Sequence, residues 1–373
     1  MKKIAIVQPM LAPYSIPRFK ELGKYNDIEI HILIERDRLS HRPGWGITNI
    51  EGCKLHLLNS FIKNQHSVNS ETKYLTKGIR AIPYKLPKVL NEIRPDLVIV
   101  CNATQLLFAN LFKKKLGYKL GIVVEDTNNS EKNRTKFNKK MKSLLLKYAD
   151  FYLPYSNDAI KYLHDKKIKN NIFKSSWSID TSDMNNCVKS KTKKIDTIKI
   201  ISVARLVEGK GIDKFLEAFA SLNLEIKNKF YMEIVGGGPD EEKLIGIIKN
   251  NNLSNVKLIG EISHKEVTER MLQADIFVLP TLGDLFSLVV MEAMAAGLPV
   301  ITTNYNGASE LVEEEENGYI FDPYNPEDIK ATIEKIYANR DKLLKMGEES
   351  KKKILNYNHY EVMQKLYNIL KEI

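Results

Sequence analysis

Short apolar, β-branched segments alternate with longer amphipathic segments along almost the whole chain. In the first half, KIAIVQP and DLVIVCNA are such apolar runs, and TKFNKKMKSLLLKYADF has helical spacing. The alternation starts again at IKIISVARL and continues through DIFVLP. Strands that alternate with helices predict a parallel, doubly wound sheet. We therefore expect an α/β protein with two Rossmann-like sheets.

The length of 373 residues and a break in this alternation indicate two domains. From about Trp177 to Ile195 the sequence is polar and has no clear period, as in a linker. We predict an N-terminal domain, a linker, a C-terminal domain and a last helix that packs back on the N-terminal domain. Their predicted ranges are 1–177, 178–197, 198–355 and 356–373. Two facing domains of this kind leave a cleft at the carboxyl ends of their strands, where ligands bind.

The net charge of +11 is unevenly distributed. Residues 1–177 contain 32 Lys and Arg against 15 Asp and Glu, whereas the rest of the chain contains 25 against 31. The densest basic stretches are KKKLGYK at 113–119 and KNRTKFNKKMK at 132–142. These lysines either form solvated helix faces or meet an anionic partner, such as lipid headgroups, a polyprenyl-phosphate carrier or nucleic acid.

The sequence also argues against several classes of protein. No apolar run approaches the roughly 18 residues that span a bilayer. The N-terminus, MKKIAIVQPM, is interpreted as a first buried strand rather than a signal peptide. Cys53, Cys101 and Cys187 show no close pairing, which fits a reducing cytoplasm and offers no zinc site. We therefore predict a cytoplasmic protein.

Three loops of the second half, each after a predicted strand, contain candidate binding residues. In SVARLVEGKGID, Arg205 and Lys210 suit a diphosphate, and ordinary surface cations are the alternative. In IVGGGPDEEKL, the candidates are Gly236, Gly238 and Pro239. This glycine-rich segment either lets the backbone approach a ligand closely or only forms a tight turn. In VKLIGEISHKEV, we expect the backbone of the segment Glu261–His264, which includes Ile262, to contact a nucleotide base, and we interpret His264 as a surface histidine.

A fourth segment, PTLGDLFSLVVMEAMAAGLPVITTNYNG, places two acids in an otherwise apolar stretch. Asp284 precedes a helix that we expect to begin near Phe286, so it either caps this helix or binds a ligand. Glu292 lies among apolar residues inside the helix, and a buried unpaired carboxylate costs several kcal/mol. We therefore expect Glu292 to accept hydrogen bonds from the hydroxyls of a ribose. In this interpretation, the amides of Leu285, Phe286 and Ser287 face a diphosphate, and Leu288 is a further donor-binding candidate.

In this order, the four features resemble the donor-binding domain of family-4 retaining glycosyltransferases, which have the GT-B fold. That family carries R-x4-K, here Arg205 and Lys210, and a GxGP-type turn, here Gly236–Pro239. Its E-x7-E segment is similar to DLFSLVVMEAMAAGLPVITTNYNGASE, which begins at Asp284. The resemblance implies a nucleotide-activated sugar donor, usually linked to UDP or GDP, and transfer with retained anomeric configuration.

The resemblance also implies roles for the candidate residues. Arg205 and Lys210 would offset the charge on the leaving diphosphate, so we expect that no metal ion or other cofactor is required. Asp284 would position the donor sugar and Glu292 would anchor the ribose. A front-face reaction is implied, in which a diphosphate oxygen helps to take the proton of the acceptor.

Three positions depart from the family pattern, and the first two affect the sugar contact more than the nucleotide contact. Asp284 replaces the usual glutamate, so its carboxylate is set back by about one methylene group. Leu285 stands where the family usually has glycine. Gly307 stands alone where two glycines are frequent.

The first half resembles the family less closely. QPMLAPYSIPRFKEL is similar to the P-Y-x-x-P-x-F opening of transferases in surface-polysaccharide assembly, which makes Pro13 and Tyr14 candidates for the acceptor-side loop. GIVVEDTNN puts Glu125 and Asp126 where a cleft histidine is frequent. These acids either cap the next helix or act on the acceptor hydroxyl, and Glu125 is the candidate.

The predicted function is a hexosyltransferase that uses a UDP-sugar in preference to a GDP-sugar. Its acceptor would be a glycan or polyprenyl-linked hydroxyl, and its basic first domain would rest on the inner face of an anionic membrane. A nucleotide-sugar epimerase of similar architecture, which needs no acceptor, is one alternative. A basic nucleic-acid-binding protein is another, although no helix-turn-helix or RNP pattern supports it.

Overall fold

The computed structural model of the chain describes residues 1–37, 48–68, 75–132, 134–181 and 196–373, and the side chains of these except at 62–68 and 75–80. Most of the predicted linker, 178–197, lies outside the described residues, as does Cys187. The chain forms two compact units. The first comprises Met1–Ser178 and His359–Ile373, and the second comprises Ile179–Asn358.

The first unit is built on a parallel sheet of six strands in the order β3-β2-β1-β6-β7-β8. These strands are β1 Lys2–Gln8, β2 Ile28–Ile34, β3 Cys53–Leu57, β6 Leu97–Val100, β7 Lys119–Val124 and β8 Phe151–Pro154. A separate antiparallel pair consists of β4 Phe61–Val68 and β5 Leu75–Ile82. The helices are α1 Ile16–Leu22, α2 Leu86–Ile93, α3 Ala103–Leu116, α4 Asn128–Glu131, α5 Lys136–Leu146 and α6 Asn157–Asp165, with α14 His359–Glu372 at the end of the chain.

The second unit repeats this topology, with a parallel sheet in the order β11-β10-β9-β12-β13-β14. Its strands are β9 Ile198–Val203, β10 Phe230–Val235, β11 Val256–Gly260, β12 Ile276–Leu279, β13 Val300–Thr303 and β14 Gly318–Phe321. Its helices are α7 Ile212–Ala220, α8 Leu224–Lys227, α9 Glu241–Asn250, α10 His264–Gln273, α11 Leu288–Ala295, α12 Pro326–Ala338 and α13 Leu343–Ile354. Short 3₁₀ helices occur at Glu208–Lys210 and Gly307–Leu311, among others.

Both sheets have the strand order of a doubly wound fold, in which strands are added first on one side of the first strand and then on its other side. β1 lies between β2 and β6, and β9 lies between β10 and β12. All four residues of β6 and of β12 are buried, as expected for central parallel strands that are covered on both faces. The predicted fold class, α/β with two Rossmann-like parallel sheets, is confirmed.

The last helix, α14, packs on the first unit. Tyr367 stacks on Tyr25 with ring centroids 3.8 Å apart, and the ammonium group of Lys2 donates to the carbonyl of Leu370 at 2.9 Å. α14 also lies against α1. Of the helices that the structure describes, none has the length and apolar composition needed to cross a bilayer.

Helix α11 begins at Leu288 rather than near Phe286, where the sequence predicts its start. The preceding segment is extended because Asp284 pairs with Asn306 in an isolated bridge. The amide of Asp284 donates to the carbonyl of Tyr305, and the amide of Gly307 donates to the carbonyl of Asp284, both at 3.0 Å. These two bonds hold the backbone out of the helix until Ser287.

Candidate functional site

Most candidate residues of the second unit lie in loops at the carboxyl edge of its sheet, and Leu288 and Glu292 lie in α11. Parallel strands all end at this edge, so loops that are distant in sequence meet there. The amide of Leu206 donates to the carbonyl of Gly237, and the amide of Leu282 donates to the carbonyl of Gly209, both at 2.9 Å. These bonds join the loops that follow β9, β10 and β12, which carry most of the predicted donor-binding residues.

An ion pair joins two of the predicted residues directly. The ammonium group of Lys210 donates to Oδ2 of Asp284 at 2.5 Å, and the hydroxyl of Ser287 donates to the same oxygen at 2.5 Å. From the sequence, we expect Lys210 to bind a diphosphate and Asp284 to bind a sugar, whereas the contact between the two side chains is not predicted. Both side chains are part-buried, so the pair is positioned and yet accessible to a ligand.

Asn306 fixes the loop that carries Asp284. Its side chain is fully buried, accepts from the amides of Ser287 at 3.3 Å and Ala308 at 3.1 Å, and donates to Oγ1 of Thr302 at 3.0 Å. The amide of Ser287, which the sequence analysis directs toward a diphosphate, is therefore bonded to protein. Sequence analysis missed Asn306, although an asparagine before glycine in NYNG is a typical turn signal.

Glu292 is only half-buried, so the prediction that it is enclosed by apolar residues is wrong. Its side chain is 28% exposed, whereas Val290, Met291, Ala293 and Met294 are fully buried. Glu292 lies on the face of α11 that it shares with Leu288 and Val289, both partly exposed. A helix buries one face, and this face points away from the core.

Among the described residues, His264 contacts the carboxylate of Glu292. Its Oε1 lies 3.6 Å from Nε2 of His264, the largely exposed first residue of α10. Ser263 is the N-cap of α10, so His264 lies in the first turn of this helix at the protein surface. Within the described chain, the Glu292 carboxylate accepts no hydrogen bond of 3.5 Å or shorter, so its oxygens remain available to a ligand.

The glycines of the loop after β10 are required by loop packing. A Cβ atom on Gly236, whose φ is +128°, would lie 2.0 Å from the carbonyl oxygen of Ala204. A Cβ atom on Gly238 would lie 2.2 Å from the carbonyl oxygen of Leu206. The close approach is therefore between two protein loops, which favours the tight-turn interpretation. A donor contact at these glycines, at exposed Pro239 or at Ile262 stays a prediction, as do the contacts at Leu285, Phe286 and Leu288.

Arg205 is the second cation of the loop after β9. Its side chain is exposed and, in the part of the chain that the structure describes, it forms no ion pair. Lys210 ends the short 3₁₀ helix of the same loop. The loop therefore offers one positioned cation and one that is free to move onto a ligand.

In the first unit, Glu125 follows β7, and the surrounding protein modifies its acidity. Although the residue is exposed at the surface, neighbouring atoms displace part of the water around its carboxyl group and raise the pKa, and the charge of Asp126 adds to this effect while Arg18 opposes it. Asp126 is bonded to Arg134 at 3.2 Å and to Lys142. Helix α4 is capped by Thr127. The helix-capping alternative for the two acids is therefore wrong, and Glu125 remains the candidate.

The predicted acceptor-side loop contains an aromatic cluster. Pro13 and Tyr14 lie in a 3₁₀ turn, and Tyr14, 41% exposed, meets Trp177 edge-on at 5.5 Å. The buried guanidinium of Arg18 lies over the rings of Tyr155 at 5.3 Å and Trp177 at 5.0 Å. Sequence analysis missed these last three residues because they are brought together from separate parts of the first unit.

Metal ligands are not grouped in the described residues. No set of three or more His, Cys, Asp or Glu side chains there is arranged to hold an ion.

Comparison with known proteins identifies relatives of this chain. Residues 184–353 match the family model for glycosyl transferases group 1. An uncharacterized glycosyltransferase of Haemophilus influenzae is 27% identical over 313 residues, which cover 82% of this chain and 85% of that protein. The amylovoran biosynthesis glycosyltransferase AmsK of Erwinia amylovora is 38% identical over 130 residues, 33% of this chain and 32% of that protein.

Solved structures share the fold over the whole chain. The Anabaena protein HepE, solved in complex with UDP, superimposes with a TM-score of 0.76 at 16% identity, with 100% of both chains covered. The fold is therefore GT-B. The predicted resemblance to glycosyltransferases, including those of polysaccharide biosynthesis, is confirmed by these relatives.

Proposed function

Because residues 184–353 match the family model for glycosyl transferases group 1, we propose that this protein transfers a hexose from a nucleotide-diphosphate-sugar, with retention of anomeric configuration. The donor is UDP-linked rather than GDP-linked, and the acceptor is a hydroxyl of a glycan or of a lipid-linked glycan. The observation that carries the proposal is the Lys210–Asp284 pair at the carboxyl edge of the second sheet. In this pair, a cation that would bind a diphosphate lies beside a carboxylate that would bind a sugar.

The two cations of the loop after β9 would receive the diphosphate. Negative charge builds on this group as the bond to the sugar breaks, and positioned cations stabilise that charge. Asp284 fixes Lys210 by the 2.5 Å contact, while exposed Arg205 has a guanidinium that can bind two phosphate oxygens at once. No metal ion or other cofactor is needed in this scheme.

Asp284 would orient the sugar through its second oxygen. Lys210 and Ser287 both donate to Oδ2, so Oδ1 can accept from a sugar hydroxyl. Glu292 would accept from both ribose hydroxyls, since its side chain is 28% exposed and its neighbour among the described residues, His264, lies 3.6 Å away. Hydrogen bonds to a charged acceptor contribute about 1.5–3 kcal/mol each.

Glu125 would act on the acceptor hydroxyl. Its raised pKa brings the carboxyl group nearer to the range in which it can exchange a proton. Exposed Tyr14 would offer an aromatic ring beside the acceptor.

Two comparisons support the finer assignments. HepE was solved with UDP, which favours UDP as the nucleotide of the donor. AmsK is named for amylovoran biosynthesis, which favours a glycan acceptor. The excess of 17 positive charges in residues 1–177 favours a cytoplasmic protein that lies peripherally on the anionic inner face of the membrane.

Nucleotide binding by Glu292→Gln tests the proposal. We expect one of the UDP-, GDP-, ADP- and TDP-sugars to bind the wild type in calorimetry, and the substitution to weaken that binding about 10- to 100-fold. His264→Ala is the matched control, because it removes the partner of Glu292 and leaves the carboxylate in place. Unchanged affinity in Glu292→Gln, or an equal loss in His264→Ala, would contradict the ribose contact.

Product analysis tests the reaction itself. With a soluble glycan acceptor, nuclear magnetic resonance should show the anomeric configuration of the donor in the product. Conversion of the donor to another sugar without acceptor would instead support the epimerase alternative.

A further inference from the structure

Helix α5 turns an apolar stripe toward solvent. Phe137, Met141 and Leu144 are 72%, 41% and 47% exposed, and Leu146 is the buried residue of the helix. At 3.6 residues per turn, the three exposed side chains fall within a sector of about 60°. The apolar stripe of a surface helix normally faces the core, so one that faces outward indicates a binding partner.

Helix α3 adds a second pair of exposed apolar side chains. Leu107 and Leu111, one turn apart, are 39% and 64% exposed, and α3 packs against α5. Lys113 links α3 to the segment that follows α5, since its ammonium group donates to the carbonyl of Tyr148 at 3.2 Å. We name this surface the α3–α5 face and define it by Leu107, Leu111, Phe137, Met141, Leu144 and Tyr148, which is 41% exposed.

Exposed lysines border the α3–α5 face. On α5 and its C-cap, Lys136, Lys140 and Lys147 lie on one side of the apolar stripe, within about a quarter of a turn of its edge. Lys114 and Lys115 are exposed near the end of α3. Among the described residues, these five lysines form no ion pair, so their charges are available to a partner.

Nearby acids do not cancel this charge. Residues 103–148 contain eleven Lys and Arg but three Asp and Glu. Asp126 is bonded to Arg134 and Lys142, and Glu131 accepts from Lys166 at 2.7 Å. The surface therefore combines exposed apolar side chains with uncompensated positive charge.

We propose that the α3–α5 face docks on an anionic lipid surface. Phe137, Leu144 and Leu111 would enter the boundary between headgroups and acyl chains, and the lysines would contact lipid phosphates. Lipid matches both properties at once, because apolar insertion and electrostatic attraction together determine how strongly a basic amphipathic helix binds a bilayer. This inference rests on the membrane association proposed above and assigns it to the α3–α5 face. It does not depend on the transfer reaction.

Vesicle binding by the full chain, without donor or acceptor, tests this surface. We expect the wild type to sediment with vesicles of phosphatidylcholine mixed with phosphatidylglycerol, and much less with phosphatidylcholine alone. High salt should weaken the binding because it screens the lysines. Nucleotide affinity, measured on the same samples, shows separately whether the donor site is correct.

Two sets of variants separate the apolar and the charged contribution. Lys136→Gln, Lys140→Gln and Lys147→Gln together should weaken binding about 100-fold, since each lysine near an anionic surface contributes about a fivefold factor. Phe137→Ser should weaken binding about tenfold.

The second unit supplies matched controls. Leu224→Ser removes an apolar side chain that is 69% exposed, and Lys249→Gln, Lys265→Gln and Lys342→Gln remove three exposed lysines. Both control variants should bind vesicles as the wild type does. Circular dichroism should show that every variant is folded.

Insertion can be observed directly by fluorescence. Tryptophan in Phe137→Trp should be quenched by brominated lipid, and tryptophan in Leu224→Trp should not. Equal binding of wild type and both sets of α3–α5 variants, or a preference of the same face for nucleic acid over anionic vesicles, would overturn the proposal.

Discussion

Gly307→Ala is expected to damage the donor site although Gly307 carries no functional group. A Cβ atom at this position would lie 1.9 Å from the carbonyl oxygen of Leu285, the residue after Asp284. Ordinary contacts of this kind begin near 3 Å, so the two loops must separate by at least about 1 Å. That separation would stretch the hydrogen bond from the amide of Gly307 to the carbonyl of Asp284.

The size of the effect follows from this displacement. Overpacking of this kind costs about 1–3 kcal/mol of the free energy of unfolding. A shift of about 1 Å at a positioned carboxylate lowers the rate of catalysis about 100-fold. Thermal unfolding and the rate of sugar transfer at saturating donor are the measurements.

Gly283→Ala is the matched control for this prediction. Gly283 directly precedes Asp284, but a Cβ atom there would have no neighbour within 4 Å. We expect its stability to change by less than about 0.5 kcal/mol and its activity to remain near that of the wild type. Wild-type stability and activity in Gly307→Ala, or equal losses in both variants, would refute the argument from loop packing.

Two further predictions concern buried and paired charges. Burial raises the pKa of Glu35 to about 7, so its folded state binds a proton more tightly than its unfolded state and loses stability as the pH rises from about 4.5 to 7. In urea unfolding, the free energy of unfolding of Glu35→Gln relative to that of the wild type should therefore rise by about 3 kcal/mol between pH 4.5 and pH 8. A difference between the two proteins that does not change with pH would contradict this sign. Lys210→Met and Asp284→Asn should each lower the transfer rate about 100- to 1,000-fold, and the double variant should be little worse than either one. Additive losses would show that the 2.5 Å pair does not act as a unit.

The fold was predictable because it depends on local pattern. The runs from Ile4 to Val7 and from Ile276 to Leu279 are fully apolar and buried, as expected for central parallel strands. Candidate residues after strands could also be predicted, since all parallel strands end at one edge of the sheet. This placed Lys210 and Asp284 at the same edge without showing that they touch.

Prediction of the site was less accurate where it depended on side-chain environment. Glu292 has apolar neighbours in sequence, but α11 turns it toward the surface beside His264. The lysine stretch around Phe137 indicated a basic surface, but the direction of its apolar stripe was not predictable, because sequence alone does not show which face of α5 the rest of the unit covers.

The sequence by itself determined the two α/β sheets, the excess of positive charge in the first half and the types of residue available at the carboxyl edge of the second sheet. The tertiary structure decided which of these residues meet. Lys210 and Asp284 are 74 positions apart. Close packing at Gly307, and not at Gly283, restricts the loop that carries Asp284. Periodicity follows from the backbone geometry of neighbouring residues, whereas contacts between distant loops depend on how whole elements pack.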